Sequence, residues 1–526
     1  MNKLLSLIIL LVVLTGLQTP ILLAQSRTVS GKITQADDNS PLPGVNVVVK
    51  GTATGAISDA NGNYSLDADP GATLVFSFIG FTPREVVVGD QATINVQMAA
   101  LVTELNQVVV TGYNTQQRRD VIGSIASVSA EKFKDIPVVG IDQALQGQAA
   151  GVQVTQSSGT PGGGITVRVR GSTSISASNR PLFVVDGVPV EDGQLALRSF
   201  GGQNDNALAM LNPRDIESIE VLKDANAKAI YGSRGANGVV LVTTKRGKSG
   251  RTSLSANVER GVIDPVGKLD LLNATELLEL QREAVINAGG DPNKQGLIPG
   301  VTDAVNTDWL EEVLRRGIYQ QYQVSAAGGN DRTKFYLSGN VRDEEGVQLN
   351  NRFLRVSGTA NIDHQATARL SFGNNLTISR SRNDRVKGDN FLDGVYSGAV
   401  KSLPYYAPYN EQGELIGPNT PGYAAFPNFN PVAQALLPRF QTFATKILGG
   451  FYASYQITPG LRLRSQVSAD FNDVIEDQYE SSATTIGGYL ESVGGRGYGV
   501  YSTGVYATII NTNILSFTRT VAESTT

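Results

Sequence analysis

The chain has 526 residues, more than one ordinary domain needs, and its net charge of −4 gives no electrostatic case for binding nucleic acid or an anionic membrane surface. It has no cysteine, which excludes disulfides, thiolate metal sites and a cysteine nucleophile. A single histidine, His364, cannot build the usual zinc site, so we predict no cofactor, no metal site and no enzymatic activity.

Residues 1–24 have the features of a secretory signal peptide. Lys3 precedes an apolar run from Leu4 to Leu17, and Ala24 stands before a plausible cleavage position. Polar residues and a proline at 18–20 interrupt the stretch, which disfavours the alternative of an uncleaved anchor helix. We therefore expect the protein to be exported from the cytoplasm.

Residues 27–99 contain short β-branched runs separated by turns, which predict a small β-sandwich. In DANGN, the residues Asp59, Asn61 and Asn63 match the first half of a calcium loop. The later positions that require a glycine and a glutamate carry tyrosine and proline instead. We interpret the stretch as an Asx-rich hairpin turn.

Residues 101–114, LVTELNQVVVTGYN, contain a valine triplet flanked by polar residues, which predicts a strand with no evident partner nearby in the sequence. An exposed strand of this kind can pair with the edge of another protein's sheet. From the residues alone, a linker and a further strand of the preceding domain stay open as alternatives.

Residues 115–247 read as a mixed α/β unit. VGIDQALQGQAAGVQVTQ predicts a helix that ends at a glycine and is followed by a strand, and PLFVVDGVPV predicts strands joined by a turn. NPRDIESIEVLKDANAKAIYG predicts a strand and then a helix, and GVVLVTTKRG predicts the next strand.

The glycine-rich stretch GSRGANG, residues 232–238, follows a predicted helix and precedes a strand, which is the reverse of the order in a phosphate-binding loop. The later GKS lacks the upstream glycine of a P-loop, because Val242 occupies that position. We therefore predict a turn, with Gly232 as a helix C-cap and Arg234 as a solvated charge.

Residues 251–526 alternate with a period of two. In KFYLSGNV, Leu337 and Val341 face one way while Tyr336 and Asn340 face the other, and LRVSGTANI, ARLSFGNNLTIS and LRLRSQVSADF follow the same pattern. Each run is about ten residues long, the length of a tilted membrane strand.

The connections between these runs also alternate. GGNDRT, DHQAT and TPG are short, whereas 263–318, 383–442 and 474–498 are long. Short turns on one side and long loops on the other predict an outer-membrane barrel, because a soluble sandwich gives no reason for this asymmetry.

The loops raise three smaller expectations. Two helices are predicted in the first long loop, one capped by Asn273 or Thr275 and one capped by Thr307 and containing the only tryptophan. The aromatic residues of LPYYAPYN would either stack on sugars or pack the loop against itself. The carboxylate pair in DEEG, residues 343–346, is read as a solvated turn rather than as a glycosidase pair.

With these motifs together, the sequence resembles the SusC/RagA-type TonB-linked outer-membrane proteins of Bacteroidota over essentially its whole length. The most specific stretches are ALQGQAAGVQV, ITVRVRGSTSI, PLFVVDGVPV and LNPRDIESIEVLKDANAKAIYGSRGANGVVLVTTKRG. Residues 27–99, with GKIT, PLPGVNVVVKGT and SDANGNYSL, resemble the carboxypeptidase regulatory-like domain, a transthyretin-like β-sandwich.

The resemblance implies a mainly β protein in four parts after the signal peptide. These are the β-sandwich (27–99), a TonB-box segment (101–114), a mixed α/β plug (115–247) and the N-terminal part of an antiparallel transmembrane β-barrel (251–526). The implied TonB box, which pairs with TonB by strand addition, is Gln107, Val108, Val109, Val110 and Thr111. The implied plug motifs contain Arg168, Arg170, Gly171, Asp186, Gly187, Asp215, Glu217, Glu220, Lys223, Asp224, Tyr231, Gly232, Arg234, Gly235 and Gly238.

The implied function is TonB-dependent import of an oligosaccharide or peptide nutrient across the outer membrane. The implied partners are TonB with its inner-membrane energising complex, a SusD-like surface lipoprotein and outer-membrane lipid. The alternative is a secreted or surface β-domain binding protein that transports nothing. Only about nine candidate strands follow Arg251, and an open barrel exposes unpaired edges to lipid, so the resemblance also leads us to expect a C-terminally truncated copy.

Overall fold

The computed structural model divides into two compact units, residues 1–108 with 117–121, and residues 109–116 with 122–526. The residues it describes are 27–36, 39–52, 54–78, 81–89, 91–99, 108–111, 114–117, 125–172, 174–175, 178–190, 197, 205–223, 231–293, 303–388, 394–417, 430–484, 487 and 496–518. The predicted signal peptide lies outside them.

The first unit contains a β-sandwich, as predicted for residues 27–99. Its strands are β1 (Arg27–Gln35), β2 (Asn46–Val49), β3 (Gly55–Ile57), β4 (Asn63–Ala68), β5 (Thr73–Ser77), β6 (Arg84–Val87) and β7 (Val96–Met98). They form a three-stranded sheet in the order β4-β1-β7 and a four-stranded sheet in the order β3-β2-β5-β6. Alternate side chains of both sheets, among them Val29, Val47 and Phe76, are buried in one apolar core.

The Asp59 turn has the geometry of an Asx turn. The Asp59 Oδ1 atom accepts hydrogen bonds from the backbone N–H groups of Asn61 (2.9 Å) and Asn63 (2.8 Å). These hydrogen bonds, above all the one from Asn63, lower the pKa of the Asp59 carboxyl because they stabilise its charged form. The Asx-turn part of the prediction is confirmed, since the carboxylate satisfies the turn's own backbone donors. The hairpin part is wrong, because β3 and β4, which the turn joins, belong to different sheets.

A short hairpin follows the first unit's sandwich in the chain. Its strands are β8 (Val108–Thr111) and β9 (Asn114–Gln117), which pair with each other in a two-stranded sheet of their own. The predicted strand of residues 101–114 is therefore present as β8, while Gln107 lies outside the described residues.

Between residues 125 and 247, the described residues of the plug segment form β10 (Ile125–Ser129), β11 (Val152–Gln156), β12 (Ile165–Val169), β13 (Leu182–Val185), β14 (Val188–Val190), β15 (Ile216–Leu222) and β16 (Val239–Thr244). A five-stranded sheet runs in the order β10-β15-β16-β13-β14, and β11 and β12 form a separate hairpin. Its core consists mainly of buried valine, isoleucine and leucine side chains from both sheets. Among the strands that the structure describes, β10 lies at an edge of this sheet and pairs with β15.

One prediction in this segment is wrong. VGIDQALQGQAAG forms a single 3₁₀ turn, Gln143–Leu145, and not a helix. Gly147 and Gly151 have φ values of +71° and +70°, which bend the chain twice and prevent helical continuation. The second predicted helix of this segment falls on residues 224–230, which lie outside the described residues.

The rest of the second unit is one antiparallel sheet, called the barrel sheet below. Its strands, in spatial and chain order, are β17 (Gly250–Ile263), β18 (Gly317–Gly329), β19 (Thr333–Glu345), β20 (Arg352–Gln365), β21 (Leu370–Arg385), β22 (Arg439–Thr458), β23 (Leu461–Glu480) and β24 (Tyr498–Phe517). The connections alternate between short and long, as predicted, but the strands have 13 to 20 residues. They are longer than the alternating runs because each ladder continues beyond its apolar stretch.

The long connections of the barrel sheet carry the helices α1 (Ala274–Asn287), α2 (Trp309–Val313), α3 (Val395–Lys401) and α4 (Pro431–Leu436). Asn273 caps α1 in a capping box with Glu276, as one of the two predicted caps. The prediction for α2 is wrong by one residue, since Asp308 is the cap and the Thr307 hydroxyl donates to the Tyr406 carbonyl. Within the described ranges, none of the helices is long and apolar enough to cross a membrane.

Candidate functional site

The two faces of the barrel sheet differ sharply in polarity. On β20 the side chains of Arg355, Thr359 and Asn361 are buried, with at most 4% of their surface exposed. Val356, which alternates with them, is 51% exposed. The buried polar face points to residues 125–247 and the apolar face points outward, as in an outer-membrane barrel.

Asp215, a predicted plug residue, connects this segment to three neighbouring strands. Its Oδ1 atom accepts hydrogen bonds from Gln323 Nε2 on β18 (3.0 Å) and from the Tyr336 hydroxyl on β19 (2.8 Å). Its Oδ2 atom accepts one from the Thr359 hydroxyl on β20 (3.1 Å). Asp215 is the last residue of the 3₁₀ turn Pro213–Asp215, which Asn212 caps and which leads directly into β15.

Two fully buried arginines of the barrel sheet bind the plug segment through its backbone. Arg355 Nη1 donates to the carbonyl oxygens of Val139 (2.9 Å) and Leu211 (3.1 Å) and also to that of Ala209. Its register partner on β19, Arg342, donates to the carbonyl of Val138 (3.2 Å). Neither arginine was predicted from the sequence as a functional residue, although both occupy inward positions of the predicted alternation.

Glu344 compensates part of this positive charge. Its Oε2 atom accepts hydrogen bonds from Arg342 Nε (3.0 Å) and Nη2 (2.6 Å), and its side chain is buried. The interpretation of DEEG as a solvated turn is therefore wrong, because Glu344 and Glu345 belong to β19. Alternation along the strand places Glu344 on the inward face, two positions from Arg342.

A second polar group lies at the end of the barrel sheet with the short connections. Arg246 Nη1 pairs with Asp363 Oδ1 (2.8 Å), and the Tyr452 hydroxyl donates to the same oxygen (2.6 Å). Asn361 Nδ2 donates to the Thr244 hydroxyl (2.8 Å) and to the Lys245 carbonyl (2.8 Å). These contacts fix the chain where the plug segment ends and β17 begins.

A third group lies at the opposite end, where the long connections begin. Asn383 Nδ2 on β21 donates to Asp205 Oδ1 of the plug segment (2.7 Å). Arg385 lies 3.6 Å from Asp205 Oδ2 and 3.2 Å from Glu476 Oε1 on β23. With Asp215 and the arginines, these contacts dock residues 125–247 on the strands β18–β21.

Several predicted plug residues form backbone turns. Asp186 and Gly187, with φ values of +48° and +83°, form the two-residue turn that joins β13 to β14. The Asp186 side chain also accepts a hydrogen bond from the Thr244 backbone N–H (3.1 Å). Arg170 and Gly171, also with positive φ, turn the chain after β12.

Gly238 packs closely against Val169, and only a residue without a side chain fits there. Its φ is +104°, and a Cβ atom there would lie 3.0 Å from the Val169 Cβ atom. The preceding residues Gly232–Gly235 form a 3₁₀ turn, Gly232 has a φ of +60°, and Arg234 is exposed. GSRGANG therefore turns the chain, as predicted.

The remaining predicted plug residues do not converge on one site. Arg168 lies on β12 beside a cavity of about 320 Å³ that Arg180 and Asp205 also line. Glu220 is buried on β15, and the buried Lys223 ammonium donates to the Ala150 carbonyl. The others are the exposed Glu217, the half-buried Tyr231, the buried Gly235 and Asp224, which lies outside the described residues.

A buried carboxyl group that was not predicted from the sequence lies in the plug core. Asp142 is fully buried, and it accepts hydrogen bonds from Gln143 N (3.0 Å) and Asn206 Nδ2 (2.7 Å). Burial raises the pKa of Asp142 to about 6, because removal from water disfavours its charged form more than the hydrogen bonds favour it.

Two family models match the chain. The TonB-dependent receptor plug domain matches residues 117–239, and the carboxypeptidase regulatory-like domain matches residues 29–110. The second match extends into β8, so it includes most of the predicted TonB box.

Comparison of the whole sequence with curated proteins finds TonB-dependent receptors. The chain is 36% identical over 508 residues to TonB-dependent receptor P3 of Formosa agariphila, covering 94% of this chain and 46% of the receptor. It is 32% identical over 471 residues to TonB-dependent receptor SusC of Bacteroides thetaiotaomicron, covering 85% of this chain and 45% of the receptor. The chain thus spans less than half of the length of these relatives.

A solved structure agrees with these relatives. The RagAB peptide importer in its open-open state superposes with a TM-score of 0.61 at 28% identity, covering 71% of this chain and 43% of that chain. The chain belongs to the SusC/RagA-type TonB-dependent receptors, whose members found here are receptors and not enzymes.

Proposed function

We propose that the protein takes part in TonB-dependent import of an oligosaccharide or peptide across the outer membrane. The observation that carries this proposal is the docking of residues 125–247 on the buried polar face of the barrel sheet, whose other face is apolar and exposed. A barrel of this polarity is stable in lipid, and a segment lodged inside it closes the lumen until it is moved.

TonB is the proposed source of that movement. The segment Gln107–Thr111 adds to a TonB sheet as an extra strand, and β8 supports this because its backbone is already extended. The proposed domains are the sandwich (27–99), the TonB-box segment (101–114), the plug (115–247) and the partial barrel (251–526). A SusD-like lipoprotein at the long-loop side is the proposed capture partner, in line with the relationship to SusC and RagAB.

The proposed location is the outer membrane, reached after removal of residues 1–24. The short connections then lie in the periplasm and the long ones at the cell surface. Membrane fractionation separates this proposal from a soluble surface binding protein. An integral receptor stays in the outer-membrane pellet after washing with high salt and urea, whereas a soluble β-domain protein is released.

A proline in the TonB box tests transport itself. Val109→Pro removes a backbone N–H group that strand addition uses, and Val109→Ala keeps that group and serves as the control. We expect cells with Val109→Pro to lose growth on the oligosaccharide or peptide that the wild type uses, at unchanged receptor level. Equal growth of both variants would contradict energised import through this receptor.

A further inference from the structure

A cavity of about 320 Å³ lies in the plug segment, at the end of the barrel sheet with the long connections. It is lined by the hairpin of β11 and β12, by residues 178–180 and by Asp205. Asp205 marks its position along the barrel sheet, because its Oδ1 atom accepts a hydrogen bond from Asn383 near the end of β21 (2.7 Å). Small-ligand sites typically have about 300–1,000 Å³, so the cavity has room for a single sugar ring or a short stretch of peptide.

The lining of this cavity carries a net positive charge. Arg168 on β12 and Arg180 supply two guanidinium groups, and Asp205 supplies the single carboxylate among the described lining residues. Arg385 of the barrel sheet offsets that negative charge from outside the cavity, with its Nη1 atom 3.6 Å from Asp205 Oδ2. The lining therefore attracts a ligand with negative charge. Its remaining polar side chains are hydroxyls and one amide, from Ser157, Thr166, Ser178 and Asn179.

Two polar atoms of the lining residues are shielded from solvent without a hydrogen bond in the part of the chain that the structure describes. One is the donor Arg168 Nε, and the other is the acceptor Asp205 Oδ2. Buried polar atoms without partners are rare and costly, so each of these two atoms calls for a partner. A ligand that satisfies both presents a hydrogen-bond acceptor to Arg168 and a donor to Asp205.

Hydrogen bonds hold the walls of the cavity in place. Arg180 Nη2 donates to the Ile165 carbonyl (3.0 Å), which keeps the second guanidinium group beside β12. The Asn179 side chain accepts from the Ser174 backbone N–H and donates to the Ser174 carbonyl, both at 2.8 Å. Walls that are ordered before a ligand arrives reduce the entropy lost on binding.

The chemistry of the lining favours a carboxylate. The planar guanidinium group of arginine matches the two oxygens of a carboxylate and binds them with short, charge-assisted hydrogen bonds. In an acidic sugar, hydroxyl groups lie next to the carboxylate, and in an acidic peptide, backbone N–H groups do. Either of these supplies the donor that Asp205 Oδ2 lacks, whereas a neutral sugar or a basic peptide brings no anion to Arg168.

We infer that this cavity is a binding site for a carboxylate group of the cargo. Arg168 and Arg180 bind the carboxylate, and Asp205 accepts a hydrogen bond from the adjoining hydroxyl or amide group. The inference rests on the proposed function and narrows its substrate class to acidic oligosaccharides or acidic peptides. Because the long connections face the cell surface in the proposed orientation, cargo reaches the cavity before TonB acts, and binding there requires no energy input.

Calorimetric titration of the purified receptor in detergent tests this site without TonB. The first pair of probes is a trisaccharide of galacturonic acid and its methyl ester, which lacks the charge. The second pair is a tripeptide with blocked ends and a central aspartate, and its asparagine counterpart. The acidic member that binds tells the glycan from the peptide as the source of the carboxylate.

The variants remove one guanidinium group at a time. Arg168→Gln and Arg180→Gln change the cavity, and Arg168→Lys keeps the charge of the first position without the planar group. Arg234→Gln is the matched control, because Arg234 is an exposed arginine of the plug segment outside the cavity lining. Thermal unfolding of each variant checks that it is folded, and Arg168→Lys keeps the test decisive where a glutamine variant is unstable.

We expect one acidic probe to bind wild type at least about tenfold more tightly than its neutral counterpart. Arg168→Gln and Arg180→Gln should bind it at least about tenfold more weakly, Arg168→Lys should be intermediate, and Arg234→Gln should match wild type. Equal binding of the acidic probe by wild type and both glutamine variants would overturn the site. Equal binding of the neutral counterpart, or binding of neither acidic probe, would overturn the recognition of a carboxylate.

The outcome is independent of the proposed import. Val109→Pro lies outside the cavity and should bind the acidic probe like wild type. Binding that persists while Val109→Pro cells grow as well as Val109→Ala cells would support the site and refute energised import. Loss of binding only in the cavity variants, together with loss of growth in Val109→Pro, would support both.

Discussion

Removal of the Asp215 carboxylate should release the plug from three strands of the barrel sheet at once. In Asp215→Ala the amide of Gln323 and the hydroxyls of Tyr336 and Thr359 lose their common acceptor. All three side chains are at most 6% exposed, so the lost acceptor leaves three largely buried donors. A hydrogen bond to a charged group contributes about 1.5–3 kcal/mol, and the three are not additive, so we expect a loss of about 3–5 kcal/mol.

Proteolysis of the purified receptor in detergent measures this loss. Cleavage of a transiently opened segment follows the population of the open form, so 3 kcal/mol corresponds to cleavage more than about a hundredfold faster within residues 125–247. Asp215→Asn keeps one carbonyl oxygen but turns an N–H group toward donors, and we expect an intermediate increase, about tenfold.

Glu217→Ala is the matched control, because Glu217 lies two residues further along, is exposed and makes no wall contact that the structure describes. It should leave the cleavage rate unchanged. If Asp215→Ala were cleaved no faster than Glu217→Ala, the claim that Asp215 docks the plug on the barrel sheet would be refuted.

Three further changes have defined outcomes. Gly238→Ala should destabilise the plug by about 2 kcal/mol or more, since the residue has a φ of +104° and its new Cβ would press on Val169. Thermal unfolding measures this loss of stability. The folded-state pKa of Asp142, about 6, lies above its ordinary value of 3.8, so plug stability should fall by about 3 kcal/mol as pH rises through this window. Asp142→Asn should remove this pH dependence of stability, and the proteolysis rate measured between pH 4 and 7 checks it. Trp309→Phe loses the indole hydrogen bond to the Leu403 carbonyl (2.9 Å), which costs about 1 kcal/mol. Protease should therefore cleave the long loops about fivefold faster.

The sequence predicted the architecture well because the barrel pattern is local. Alternation in KFYLSGNV already separates Leu337 from Tyr336, and the structure places Leu337 on the exposed face and Tyr336 on the buried one. The turn between β13 and β14 was also predictable from the sequence, since an Asp-Gly pair between two apolar runs is typical of a tight hairpin. The aromatic loop residue Tyr405 packs in the loops beside α1, as one of its two expected fates.

The docking contacts could not be predicted from the sequence, because they join residues far apart in the chain. Asp215 meets Tyr336 and Thr359, and Arg355 meets the carbonyl of Val139, only after the barrel sheet has curved around the plug segment. The DEEG interpretation failed for a related reason. A charged pair near a strand end looks solvated until the register shows that Glu344 faces an inward arginine.

Binding of the receptor to the periplasmic domain of TonB is the most direct test of the central claim. Purified wild-type receptor and Val109→Ala should bind this domain with similar affinity, because strand addition uses the backbone of residues 107–111. Val109→Pro should bind at least tenfold more weakly, since one backbone hydrogen bond is lost and its carbonyl partner is left unpaired. Equal binding by all three proteins would contradict strand addition at this segment and with it the proposed coupling to TonB.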